Sequence, residues 1–219
     1  MSVCCSTYAD VADEHFDSRI AQRDLDEYRT HGAGSTTGLL RDLLVETHAL
    51  EGVLLDVGSG IGALTFELLD CGISTAIDVD ASSAHLAAAA EEAARRGQSG
   101  AIQFVRGDFL DRSRELPQAT VVALDRVICC YPHYEPLLQE SLRHAQRFFA
   151  ISYPRDRWLT HCALGFENAV RRLRRARFRT FVHPAARMTD MIRNASFVLR
   201  ARRQTRLWSA DVYSRSDSA

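Results

Sequence analysis

The sequence has no lysine: all 27 of its basic residues are arginine, a usage that points to GC-rich coding rather than to a binding task. Against 28 acids they leave a formal net charge of −1. That excludes a global pull toward nucleic acid or an anionic membrane, so nucleic acid is not an expected partner. No run approaches the ~20 apolar residues that a bilayer span needs. Met1–Asp10 lacks the basic-then-apolar order of a secretory signal. Also missing is any C-x-x-C spacing. The six cysteines are Cys4, Cys5, Cys71, Cys129, Cys130 and Cys162. Two adjacent pairs make a poor disulfide framework, because neighbours hardly reach the required separation and torsion. The expectation is a cytoplasmic protein with reduced thiols. Repeats and low-complexity linkers are lacking too, so residues 1–219 are expected to form one domain, of a size that buries a real core.

What is present is an alternation of strand and helix signals. Tyr8, Val11, Ala12, Phe16 and Ile20 recur at helical spacing, and Leu39, Leu40, Leu43 and Leu44 mark a second helix after the loop His31–Ser35. These make a helical cap over residues 1–50. A core follows over 51–155. Val53–Val57 is a short continuous apolar strand of the kind found in a parallel sheet covered on both faces. A glycine turn and a helix from about Ala63 to Asp70 come next. Then come a strand over Ile73–Val79, an alanine-rich helix capped by Ser82 or Ser83 and ended by Gly97, and strands over 102–105, 120–124 and 147–152. Residues 156–196 are helical again, with Trp158, Leu159, Cys162, Phe166, Val170 and Leu173 at helical spacing and Pro184 opening a last helix. Two β-like runs over 197–213 are close enough to pair as a hairpin. The fold class implied is α/β, a doubly wound, mostly parallel sheet.

The most informative stretch is Asp56-Val57-Gly58-Ser59-Gly60-Ile61-Gly62, between a strand and a helix. Glycines let backbone turn tightly and approach a ligand closely, and such sheets bind ligands beyond the carboxyl ends of their strands. Gly58, Gly60 and Ala63 alone also satisfy a permissive dinucleotide fingerprint, which keeps a nicotinamide dehydrogenase open. Three features move the balance: the carboxylate Asp56 two residues before the first glycine, the third glycine at 62, and Asp80 ending the second strand, where it can accept both ribose hydroxyls. Asp78 points the same way along that strand and rivals it.

With these residues the chain resembles the class I S-adenosylmethionine-dependent methyltransferases. Their D/E-x-G-x-G-x-G motif matches 56–62, and their D-x-S-P segment is similar to Asp80-Ala81-Ser82-Ser83, with Ser83 in place of proline. Their acid after the third strand matches Asp108, followed by Phe109. The resemblance implies a seven-stranded Rossmann-like sheet, S-adenosylmethionine as cofactor and S-adenosylhomocysteine as product. It further implies that Asp56 and Gly58, with Ser59, Gly60 and Gly62, hold the methionine moiety. Asp80 and Ala81 would take the ribose, Asp108 and Phe109 the adenine. Asp125, ending the fourth strand, joins the set.

The acceptor side should follow that strand, at Asp125-Arg126-Val127-Ile128-Cys129-Cys130-Tyr131-Pro132-His133. The N/D-P-P-Y motif of amino methyltransferases is absent. The stretch is distantly similar to that of magnesium-protoporphyrin O-methyltransferases, but Cys130 stands where those have a histidine before Tyr-Pro. His133, Tyr131 and Tyr28 are the candidate catalytic residues. Arg126 and Arg155 at strand ends are candidates to grip an acceptor carboxylate. The expected activity is methyl transfer to a small-molecule acceptor, at oxygen, by in-line displacement. Two alternatives stay open: thiol or metalloid methylation using Cys129/Cys130, and a non-catalytic cofactor- or RNA-binding protein that draws on the arginine run 171–179. Nothing in the sequence sets the oligomeric state.

Overall fold

A computed structural model describes residues 6–216; Cys4 and Cys5 lie outside them. The chain opens with three helices, α1 (Ser6–His15), α2 (Ser18–His31) and α3 (Ser35–Glu46). The single helix expected across Tyr8–Ile20 is in fact two. Asp17 interrupts it, because its extended backbone and side chain, which accepts from the Ile20 amide, make it the N-cap of α2.

Strand and helix then alternate: β1 (Val53–Val57), α4 (Ala63–Asp70), β2 (Thr75–Asp80), α5 (Ser83–Arg96), β3 (Ile102–Arg106), the short α6 (Phe109–Arg112), β4 (Ala119–Asp125), α7 (Tyr134–His144) and β5 (Ala145–Pro154). The expected cap of α5 is Ser82, whose hydroxyl accepts from the His85 amide. β2 starts two residues later than the apolar pattern predicts. β4 and β5 run longer than predicted at both ends, because sheet pairing carries them past their apolar centres. No helix was expected over α7, since its apolar residues are broken up by charged ones. The last third contains α8 (Trp158–Leu173), α9 (Ala185–Asn194), β6 (Phe197–Gln204) and β7 (Trp208–Arg215).

The seven strands form one sheet in the order β3-β2-β1-β4-β5-β7-β6. β1 to β5 run parallel, and the expected hairpin inserts β7 antiparallel beside β5. Side chains alternate along each strand. Leu55 and Val57 therefore join Phe149 and Tyr213 in one apolar layer. Leu54 joins Leu43, Leu64 and Phe66 in the layer on the opposite face. Burial on both faces is why the strands read as unbroken apolar runs. The order reverses at β1, so the crossovers leave β1 and β4 in opposite directions. A crevice opens at the carboxyl ends of these two strands.

Candidate active site

A cleft of about 1240 Å³ occupies that crevice. Its floor is the loop after β1. Gly58 has φ of 69°, and a Cβ there would lie 2.5 Å from Val127 Cγ2. Only glycine meets both demands. Its amide donates to the Val79 carbonyl at 2.7 Å, fastening the loop to the end of β2. Gly60, at φ 57°, has open space where a Cβ would project. Its amide donates to Asp80 Oδ2 at 2.8 Å, and the Ser82 amide donates to Asp80 Oδ1 at 2.7 Å. Two backbone donors thus fix the Asp80 carboxylate on the cleft wall, while burial pulls its pKa upward.

The structure separates the two rival acids. Asp80 and Ala81 line the cleft, whereas Asp78 is fully buried beneath the glycine loop. The Thr65 hydroxyl lies 2.6 Å from Asp78 Oδ1 and 3.2 Å from Asp56 Oδ2, so its one proton serves the nearer acid. The two carboxyls are register neighbours on adjacent strands. Burial raises Asp78 to about 7. Burial and the charge of Asp78 raise Asp56 well above the carboxylate range. Asp56 lines the cleft and forms no ion pair among the described residues.

Gly107 and Phe109 line the side wall beyond β3. Asp108 caps α6 and is buried. Its Oδ1 accepts from the Leu110 amide and, at 2.9 Å, from the Tyr131 hydroxyl, while its Oδ2 has no partner. Ser59 likewise leaves a buried hydroxyl unpartnered. At the end of β4, Asp125 accepts from Ser152 and Thr37 at 2.5 Å each. It holds α3, β4 and β5 in register at the rim.

The three expected catalytic residues are scattered. Tyr131 lines the cleft, but its hydroxyl is spent on Asp108 and its ring lies against Tyr8, centroids 3.9 Å apart. Tyr28 reaches the rim, yet its hydroxyl donates to Glu67 at 3.1 Å and accepts from Arg96 at 3.0 Å, neither of which lines the cleft. His133 is exposed at the start of α7 and is not part of the cleft wall. The loop turns at Tyr131 because a ring nitrogen of His183 lies 3.1 and 3.0 Å from the Ile128 and Tyr131 carbonyls, which directs the next residues outward. Arg155 is also elsewhere, on the Thr205 carbonyl. His31 is exposed and outside the cleft.

Arg126 does reach the cleft. It adopts φ of 61°, costly for a residue with a Cβ. Its amide donates to Ser152 at 2.8 Å, and its guanidinium has no partner among the described residues. Cys129 and Cys130 sit beside it, sulfurs 4.0 Å apart, both directed at the Arg126 carbonyl. The neighbouring Cys130 thiol and burial push the Cys129 thiol's pKa well up. Among the described residues no group of three or more metal-binding side chains occurs.

Several lining residues escaped the sequence analysis. Tyr8 and Phe16 read there only as positions of a helical repeat, and nothing in the sequence marks His15. His15 stacks on Phe178 at 4.3 Å, and burial lowers its pKa. Trp208 enters from the far hairpin. Nothing local in the sequence marks these residues, because the contacts that bring them together span most of the chain.

The comparisons agree with this geometry. Residues 54–150 match the model of a methyltransferase domain family. No curated protein matches the sequence significantly. Among solved structures, magnesium protoporphyrin IX methyltransferase from Synechocystis PCC 6803, with bound S-adenosylhomocysteine, superposes with a TM-score of 0.73 at 17% identity, covering 94% of this chain and 99% of that one. An O-methyltransferase family protein from Burkholderia thailandensis gives 0.73 at 16% identity over 94% of this chain and 62% of that one. A 1,6-didemethyltoxoflavin N1-methyltransferase from the same organism, also with S-adenosylhomocysteine, gives 0.67 at 16% over 99% and 92%. At such identities the superpositions speak for the fold. The glycine loop with open space above Gly60, the paired donors on Asp80 and the orphan oxygen of Asp108 fit a nucleoside carrying an amino acid. Residues 54–150 thus match a methyltransferase domain family, and the fold of the described residues is that of the superposed structures.

Proposed function

We propose that the chain methylates an oxygen of a small molecule, and that this oxygen belongs to a carboxylate. One observation carries the proposal. Arg126 stands at the end of β4 beside Cys129 and Cys130 with no guanidinium partner among the described residues. Arg19 and Arg174, also without an ion pair among those residues, line the cleft from α2 and from the end of α8, and the expected bases are spent or lie elsewhere. A carboxylate arrives ionised and needs no base, and a guanidinium grips it in a planar, two-pronged contact.

S-adenosylmethionine, the cofactor we propose, would supply an activated methyl group, so the protein's task is alignment and exclusion of water. Asp56 would hold the amino group of the methionine moiety. Gly58, Ser59, Gly60 and Gly62 offer close backbone, Asp80 and Ala81 the ribose contact, and Asp108 and Phe109 the adenine contact, with Asp108 Oδ2 as acceptor. Asp125 positions the rim through Thr37 and Ser152. Tyr131 and Tyr8 form an aromatic wall. Tyr28 braces α2 rather than acting on the acceptor, and His133 has no part in the chemistry.

A metabolite extract incubated with the protein and S-adenosylmethionine carrying a labelled methyl group tests this. A methyl ester releases labelled methanol in mild alkali, whereas ethers, thioethers and N-methyl products keep the label. Alkali-labile product that falls at least ~10-fold with Arg126→Gln is expected. Alkali-stable product would refute the carboxylate, and no labelled product in any extract would refute the small-molecule acceptor.

A further inference from the structure

Helix α8 is built inside out. A surface helix ordinarily turns its apolar stripe to the core. In α8, Trp158, Leu159, Cys162, Phe166, Ala169 and Leu173 share one ~100° arc at the helical repeat, and all six are exposed. Trp158 is 77% exposed, Phe166 74% and Leu173 83%. The side turned to the protein carries Thr160, Asn168 and Arg171 beside Leu164 and Val170. Thr160 is the buried residue of the helix, Asn168 bonds both ways with the Thr180 backbone, and Arg171 is held by Glu167 and Thr180. Such an arrangement leaves large apolar side chains in water at a cost that nothing among the described residues offsets.

At the carboxyl end of the stripe the flanking charge is of one sign. Arg172, Arg174 and Arg175 are exposed where the helix ends, and none of the three forms an ion pair among the described residues. The acid within α8, Glu167, lies on the cleft side and is engaged by Arg171. An apolar stripe of Trp, Phe and Leu flanked by arginine has the chemistry of a helix lying in a lipid interface. A second copy fits less well. Antiparallel pairing of two α8 helices would bring the arginine end of one against Arg155 and Arg157 before the other. A few side chains on one helix also fall short of the ~800 Å² per partner of a stable interface.

We propose that the outer face of α8, with the arginine turn after it, docks on an anionic lipid surface without crossing it. The inner side of the same helix, at Leu164, Glu167, Val170 and Arg171, lines the cleft, so docking sets the cleft mouth at the lipid face. The test is flotation of the full chain with vesicles of phosphatidylcholine alone or mixed with phosphatidylglycerol. Wild type should float with the anionic vesicles and not with the neutral ones. Trp158→Ser with Phe166→Ser should lower the bound fraction by about tenfold or more. Arg172→Gln and Arg175→Gln should each cost about fivefold at low salt. Both pairs are exposed, so unchanged melting curves would accompany these losses. Wild type that ignores anionic vesicles, or serine variants that float as well as wild type, would overturn the proposal. So would sedimentation showing a dimer that the serine pair dissolves while wild type fails to float, since the occupant would then be a second copy.

Discussion

The two ends of the cleft differ in how they are made. The cofactor end comes from strand ends and the short loops after them. Gly58 is tied to Val79, Gly60 to Asp80, and Asp108 to the amide two residues on. The acceptor end is assembled from α1, α2, the turn after β4, the segment after α8 and Trp208, elements separated by most of the chain. The first end is held by backbone hydrogen bonds and by dihedral angles that few residues adopt. The second is held by side-chain packing, which substitution can reshape while the sheet stays intact. On the proposed reading, one end would hold the cofactor while the other could be reshaped for its acceptor.

The sharpest way to break this contrast is Gly60→Val. The branched side chain would occupy the open space above the loop, at a φ it tolerates poorly. Affinity for S-adenosylhomocysteine should fall by about 100-fold or more by calorimetry with the fold retained. An unchanged affinity would mean that the cofactor does not lie there.

Next in size is the pair of acids on β2. Asp80→Ala should weaken cofactor binding by about 1–3 kcal/mol through hydrogen bonds lost to a charged acceptor. Asp78→Asn should leave binding nearly intact and change stability instead. The folded-state pKa of Asp78, about 7, lies above the ~3.9 of an unfolded chain. Its burial is thus fully tolerated below about pH 4 and destabilises progressively as the pH rises toward 7. The variant should melt higher than wild type at pH 8 and show a flatter pH profile between 4 and 7. If Asp78→Asn is the one that loses affinity, the ribose contact belongs to the buried acid.

The smallest effect expected is that of His133→Ala. An exposed residue at the start of α7 should change kcat/KM by less than about twofold. A loss of two orders of magnitude would show that the turn after β4 rearranges to bring this histidine inward.

How much was legible follows the same division. Val53–Val57 could be read as a buried parallel strand and Ser82 as a cap, because each signal lies within a few residues. The chemistry-bearing acids could be placed because strand alternation and loop position fix them. Tyr28 and His133 misled because sequence proximity to a site says nothing of direction. One hydroxyl is captured by Glu67 and Arg96, and the other side chain is turned out to solvent.

The sequence by itself determined the strand–helix alternation, the glycine loop and the acids at the strand ends, since these follow from local dihedral preference and the two-residue repeat of a strand. Only the tertiary structure decided that Asp78 is buried beneath the glycine loop, that Arg126 stands without a partner among the described residues within the cleft, and that the apolar stripe of α8 faces outward. Each of these depends on which distant element packs where, and long-range packing leaves no local pattern behind.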